Sequence, residues 1–158
     1  MRIAKLMSHQ LTTCAPGDTL EQAASLMWNN DLGCLPVLAE GEERRLEGMV
    51  TDRDICMAAM FQGKALRELR VGDVMAKNVL TCRASDDLET VEGLMRDQQV
   101  RRLPVVDAAG TVIGIISMAD LVCESTRSQF SQRHEVPASE VMTTLAKIST
   151  RPGNHGGH

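Results

Sequence analysis

The sequence predicts an α+β protein built from two β-α-β-β-α repeats that complete one another. Three observations carry this. The first half of the chain lies on the second at a shift of about 68 residues. Within each half, short apolar runs of strand length alternate with apolar residues at helical spacing. The 158 residues are 43% hydrophobic and 24% charged, the balance of a soluble globular chain. Only Trp28, Phe61 and Phe130 are aromatic, so the core is expected to be aliphatic, with the ten methionines helping to fill it.

The repeat can be followed along the chain. Met7-Ser8 falls on Met75-Ala76, Thr13-Cys14 on Thr81-Cys82, and Asp18-Thr19-Leu20-Glu21 on Asp86-Asp87-Leu88-Glu89. Leu26-Met27 falls on Leu94-Met95, and Leu35-Pro36-Val37 on Leu103-Pro104-Val105. A small insertion, Gly41 to Arg45, changes the offset by about two, after which Gly48-Met49-Val50-Thr51 and Asp54 fall on Gly114-Ile115-Ile116-Ser117 and Asp120. Such units pack together because one alone cannot bury its apolar face.

Each copy opens with a short extended stretch, Leu11 to Cys14 or Val79 to Cys82. Asp18 and Asp86 are expected N-caps, with Glu21 and Glu89 completing capping boxes. The helix that follows buries Leu20, Ala23, Ala24 and Met27, or Leu88, Val91, Leu94 and Met95. A strand comes next, Cys34 to Leu38 or Arg102 to Val106, then a polar turn, Ala39 to Arg45 or Asp107 to Gly110. The return strand, Leu46 to Val50 or Thr111 to Ile116, makes a hairpin with it. A second helix starts at Thr51 or Ser117. The expected boundaries are 1–62 for the first repeat, 63–72 for a linker, 73–125 for the second repeat and 126–158 for a C-terminal extension. In that extension Ser125 to Glu135 can lengthen the last helix and Ala138 to Ile148 can form one more. The Gly- and His-rich end, with His155 and His158, is expected to be a solvated tail.

The same composition narrows the function. Net charge −4 argues against a duplex nucleic-acid binder, and the shortage of aromatics argues against a single-strand stacking platform. No apolar run reaches the length of a membrane span, and no signal-peptide core follows Met1-Arg2-Ile3-Ala4-Lys5, so a cytoplasmic protein is expected. Cys14, Cys34, Cys56, Cys82 and Cys123 show no C-x-x-C spacing, which makes a structural zinc site unexpected and reduced thiols the plain reading. A redox-sensing pair is the sharper alternative. No catalytic constellation emerges. His9 and His134 have no partner at motif spacing, and Gly110 and Gly114 bracket a strand instead of opening a helix. No metal and no required cofactor are expected.

Three motifs recur in both copies: an apolar residue and Met before the first strand (Val74-Met75, then Thr81; Leu6-Met7, then Thr13), Leu-Pro-Val, and Gly followed by two apolar residues, Ser or Thr, and an Asp three residues on. Together they resemble the tandem cystathionine-beta-synthase (CBS) domains that pair as a Bateman module. The resemblance covers residues 5–60 and 72–124, about two thirds of the chain, and suits a stand-alone CBS-pair protein. It implies a pseudo-twofold pair with two related clefts, a homodimer in which four repeats form a flat disc through their helices, and adenosine ligands: AMP, ADP, ATP, S-adenosylmethionine and sometimes NAD.

By that resemblance Asp54 and Asp120 bind ribose, with Thr51 and Ser117 near the ribose or phosphate. The chemistry is sound, because a carboxylate can accept from two vicinal hydroxyls and a helix N-terminus suits a phosphate. The same Thr-x-x-Asp and Ser-x-x-Asp are also capping boxes, and capping alone would explain either copy. The resemblance further implies adenine contacts through the backbone at Leu35-Pro36 and Leu103-Pro104, with Thr13 and Thr81 on the opposite wall. Leu-Pro-Val is equally a buried strand with Pro at its start or edge. Arg101 and Arg102 precede the second Leu-Pro, where the first copy has Gly33-Cys34, and Arg53 stands where the second has Ala119. These arginines can reach phosphate or can simply be surface residues. Unequal sites follow, the second favoured for phosphorylated nucleosides. The expected function is a non-catalytic regulatory sensor of adenosine nucleotides, acting on an unidentified partner protein. The alternative is a stress- or redox-linked interaction protein that has kept the fold and lost the ligand, motivated by Cys34 beside the cleft.

Overall fold

The structure, a computed structural model, describes residues 1–41, 44–130 and 138–149, and their side chains except those of 126–130 and 149. His134, the 131–135 stretch and the tail with His155 and His158 lie outside the described residues.

The fold is α+β, with two compact units. One comprises the described residues of Gln10–Leu80 with Asp107–Val112; the other comprises Met1–His9, Thr81–Val106 and the described residues from Ile113 onward.

The first-repeat unit contains α1 (Leu20–Asn29), β1 (Cys34–Leu38), β2 (Leu46–Thr51), α2 (Asp52–Gln62) and the short α3 (Val71–Val74). β1 and β2 form the expected antiparallel hairpin, with Cys34 opposite Thr51, Pro36 opposite Met49 and an irregularity at Val37/Leu38. Cys14 bridges Val37 in parallel on the other side of β1, and Ala76 bridges Met49. Leu20, Ala23, Met27, Leu35, Val37, Val50, Ile55 and Val71 make an aliphatic core.

The second-repeat unit contains β3 (Cys82–Arg83), α4 (Leu88–Asp97), β4 (Arg102–Val106), β5 (Val112–Ser117), α5 (Met118–Phe130) and α6 (Ala138–Ser149). The strand order is β3-β4-β5, with β3 parallel to β4. Ser8 bridges Ile115. Ile3, Leu88, Val91, Met95, Leu103, Val105, Ile116 and Leu121 fill the core, and Val141 and Ile148 of α6 join it.

The helix starts depart from expectation by one residue. Thr19, not Asp18, caps α1 and forms a capping box with Gln22; Asp87, not Asp86, caps α4 by accepting from the Thr90 N–H. Asp18 and Asp86 close the preceding turns, accepting from the N–H groups of Ala15 and Arg83 at 2.8 Å each. A carboxylate one residue upstream of a cap reaches back into the turn more readily than forward into the helix. The extended stretches are also shorter than expected, reduced to a bridge at Cys14 and to two residues at Cys82–Arg83. α2 ends at Gly63, whose φ of 60° is the left-handed conformation that glycine adopts without penalty. Among the described residues no helix is long and apolar enough to cross a membrane.

Candidate functional site

In both units the end of a hairpin strand runs straight into a helix, and the first turn of that helix carries the predicted Asp. Thr51 caps α2. Its N–H and Oγ1 donate to the same carboxylate oxygen of Asp54, Oδ2, at 2.9 and 2.8 Å, and the Asp54 N–H donates back to Thr51 Oγ1 at 3.1 Å. Ser117 and Asp120 repeat the pattern, with Ser117 N–H and Oγ donating to Asp120 Oδ2 at 2.8 and 2.6 Å and the Asp120 N–H returning at 3.3 Å. Both carboxylates are partly buried. The capping box therefore uses Oδ2 alone. Oδ1 of each carboxylate has no hydrogen bond among the described residues, and it keeps its capacity to accept from a ligand hydroxyl.

The rest of each predicted set lies in the same unit as its Asp: Thr13, Leu35, Pro36, Thr51, Arg53 and Asp54 in one, and Thr81, Arg101 to Pro104, Ser117 and Asp120 in the other. Leu35 and Leu103 are core side chains, so they can meet a ligand only through backbone. The Pro36 carbonyl accepts from the Cys14 N–H at 3.2 Å, and the Cys14 carbonyl accepts from the Leu38 N–H at 2.9 Å. This lashes the segment after Thr13 alongside Leu35-Pro36. Cys82, paired with Val105, does the same for Thr81 beside Leu103-Pro104. Both threonines are partly buried.

The residue before each Leu-Pro strand is tied to the helix start. The Asp52 N–H donates to the Gly33 carbonyl at 3.1 Å, and the Met118 N–H donates to the Arg101 carbonyl at 2.9 Å. Arg101 is thus pinned by its backbone next to the Ser117–Asp120 turn, whereas the first-repeat unit has only Gly33 at that place. Arg101, Arg102 and Arg53 are all exposed.

The cysteines fall into two groups. Cys14 and Cys82 are buried under the strand carbonyls of Pro36 and Pro104. Burial pushes both thiols up to about 12, helped by the negative charge of Asp18 or Asp86. Cys34 is also buried, while Cys56 and Cys123 are exposed.

One feature escaped the sequence reading. An open pocket of about 480 Å³ lies between α1 and α2 of the first-repeat unit, with Ala24, Trp28, Asp31, Ile55, Cys56 and Ala59 among its lining. None of the predicted ligand residues borders it. The available signal was Trp28, the single Trp of the chain, standing 87% exposed on α1. Glu92, buried on α4 at 3% exposure, was missed too. Its helical spacing one residue after Val91 gave no hint of burial.

Comparison with known proteins agrees with the fold. The chain is 36% identical over 115 residues to the CBS domain-containing protein YhcV of Bacillus subtilis, covering 73% of this chain and 79% of that protein. The crystal structure of CBSX2 in complex with AMP superposes with a TM-score of 0.70 at 27% identity, covering 81% of this chain and 98% of the other. Hypoxic Response Protein I, solved with two coordinated zinc ions, superposes with a TM-score of 0.69 at 28% identity, covering 78% and 98%. Among the described residues of this chain, no three His, Cys, Asp or Glu side chains are grouped to hold a metal. The profile of the CBS domain matches residues 3–60 and again 71–125. The chain belongs to the CBS domain family, as a tandem pair of CBS repeats.

Proposed function

We propose that this CBS pair is a regulatory module that binds an adenosine nucleotide and acts, as a homodimer, on a partner protein without catalysing a reaction itself. The observation that carries the ligand reading is the unused Oδ1 of Asp54 and Asp120, held at a helix N-terminus. The relative seen with AMP supports the ligand class. Asp54 and Asp120 take the ribose hydroxyls, with Thr51 and Ser117 fixing the carboxylates. Arg101 and Arg102 favour a phosphorylated nucleoside at the second repeat, and Arg53 is the one such cation at the first. With no aromatic side chain in either predicted set, the adenine is held by backbone and aliphatic contacts. Exposed Trp28, Met60 and Phe61 on the first-repeat helices support the homodimer.

Calorimetric titration of the intact chain with AMP, ATP and S-adenosylmethionine tests this reading. Binding that Asp120→Ala weakens more than Asp54→Ala agrees with it. Equal residual affinity in the two variants removes the asymmetry, and no heat with any of the three removes the ligand reading.

A further inference from the structure

In the second-repeat unit α6 is seated on α4 and α5. It buries Val141, Thr144 and Ile148 there, and its Lys147 carbonyl accepts from Gln99 Nε2 at 3.4 Å. In the repeat alignment this seat corresponds to the groove that the first repeat leaves open: Glu92 aligns with Ala24, Leu121 with Ile55 and Ser125 with Ala59.

Apolar burial holds α6 down, but the seat also contains a carboxyl. Glu92 is 3% exposed and Thr144 is fully buried, and neither Glu92 Oε1 nor Thr144 Oγ1 has a hydrogen-bond partner among the described residues. An ionised carboxylate at such a place is costly, because it has lost its water and has gained no donor in exchange. The charges that act on Glu92 come from two helices. Glu140, in the first turn of α6, repels it; on α4, Arg96 attracts it and Glu89 repels it. No described charge of α5 takes part, and Ser125 of α5 donates its hydroxyl to the Val122 carbonyl at 2.8 Å. Protonation removes the repulsion and turns the carboxyl into a donor. Glu140 travels with α6, so ionisation of Glu92 acts against α6 itself. The first repeat has Ala24 at the aligned position and no such group.

We propose that α6 is a proton-held cover: it lies closed on α4 and α5 while Glu92 is protonated, and it lifts when Glu92 ionises. Lifting uncovers the second-repeat counterpart of the open α1/α2 groove, so the cover governs access to that face. The device rests on neither the nucleotide reading nor the homodimer reading.

A thiol placed under the cover reads the device. In the full chain Val141→Cys puts one at a buried position of α6, and exposed Cys56 in the other unit serves as the internal reference. Maleimide labelling of Cys56 follows thiolate chemistry alone, so the ratio of the two rates reports the lifted fraction. The ratio is expected to rise about tenfold from pH 5 to pH 8. Glu92→Gln should keep it at the low value at both pH values, and Glu140→Gln should shrink the rise without abolishing it. Amide exchange across 138–149 in the unsubstituted chain gives the same reading with α6 intact: relative to α1 it should quicken over the same range. A ratio and an exchange rate that do not change with pH overturn the proposal. So does a rise that persists in Glu92→Gln, which would place the titrating group elsewhere.

Discussion

Gly114 lies so close to Met7 that a Cβ built on it would stand 2.9 Å from the methionine sulfur and 3.0 Å from the Ser8 carbonyl oxygen. Gly48 repeats the relationship, 2.7 Å from the Met75 sulfur and 2.8 Å from the Ala76 carbonyl. In each case a segment that precedes one repeat in the chain lies across the return strand of the other, pinned by paired hydrogen bonds: Ser8 with Ile115, and Ala76 with Met49. The glycine of the repeated motif is there to let that backbone in. A flexible methionine can move aside, but a bonded carbonyl cannot. Gly114→Ala and Gly48→Ala should therefore each destabilise the fold by about 1–3 kcal/mol, despite the gain in chain stiffness. Chemical denaturation measures it; an unchanged midpoint would refute the contact.

The carboxylates at the helix starts do two things that mutation can separate. Asp120→Asn keeps an oxygen for the Ser117 N–H and hydroxyl, so the cap survives, but it removes the charge that strengthens a bond to a ribose hydroxyl. AMP affinity should fall about tenfold with the melting temperature nearly unchanged. Asp120→Ala should lose affinity and also about 1 kcal/mol of stability, the size of a lost cap. Asp54 should behave in the same way. If Asn lowers stability as much as Ala while affinity holds, the carboxylate serves only the helix.

Much of this was legible in the sequence. The hairpin strands fall within a residue of expectation because Leu-Pro-Val and the Gly-apolar-apolar run are bounded by turn residues on both sides. The Thr51–Asp54 and Ser117–Asp120 boxes are local, three residues apart, and formed as read. The α1 cap was misplaced because Asp18 and Thr19 are both good caps, and the choice turned on Gln22 answering Thr19. The placement of Met1–His9 with the second repeat was invisible, since nothing in a local pattern says which of two similar sheets a segment joins. The α1/α2 groove was invisible for a related reason: Ala24 and Ala59 read as ordinary packing residues.

The thiols should react in two classes. Cys14 and Cys82 are pushed up to about 12 by burial and by a nearby aspartate, so at pH 8 almost none of either is thiolate. Cys56 and Cys123 are exposed. Timed iodoacetamide labelling of the native chain, read by peptide mass spectrometry, should mark Cys56 and Cys123 first and leave Cys14 and Cys82 protected until unfolding. Equal rates would show that the strands beside Pro36 and Pro104 open freely.

Glu92 gives α6 a pH dependence whose direction follows from its surroundings. Burial raises its carboxyl above the ordinary glutamate value; Glu140 on α6 and Glu89 on α4 raise it further, and Arg96 on α4 partly opposes them. A carboxyl raised in the folded state holds its proton more tightly there than in the unfolded chain. Its contribution is full below the ordinary value, about 4.3, and is lost as pH climbs through the raised one. The second-repeat unit should therefore hold α6 less firmly at pH 8 than at pH 5. Glu92→Gln removes the titration and should raise the melting temperature at pH 8 by a few degrees while flattening its dependence on pH. Amide exchange across 138–149 should slow in the same variant at pH 8. Parallel pH curves for wild type and variant would show that Glu92 does not titrate against α6 at all.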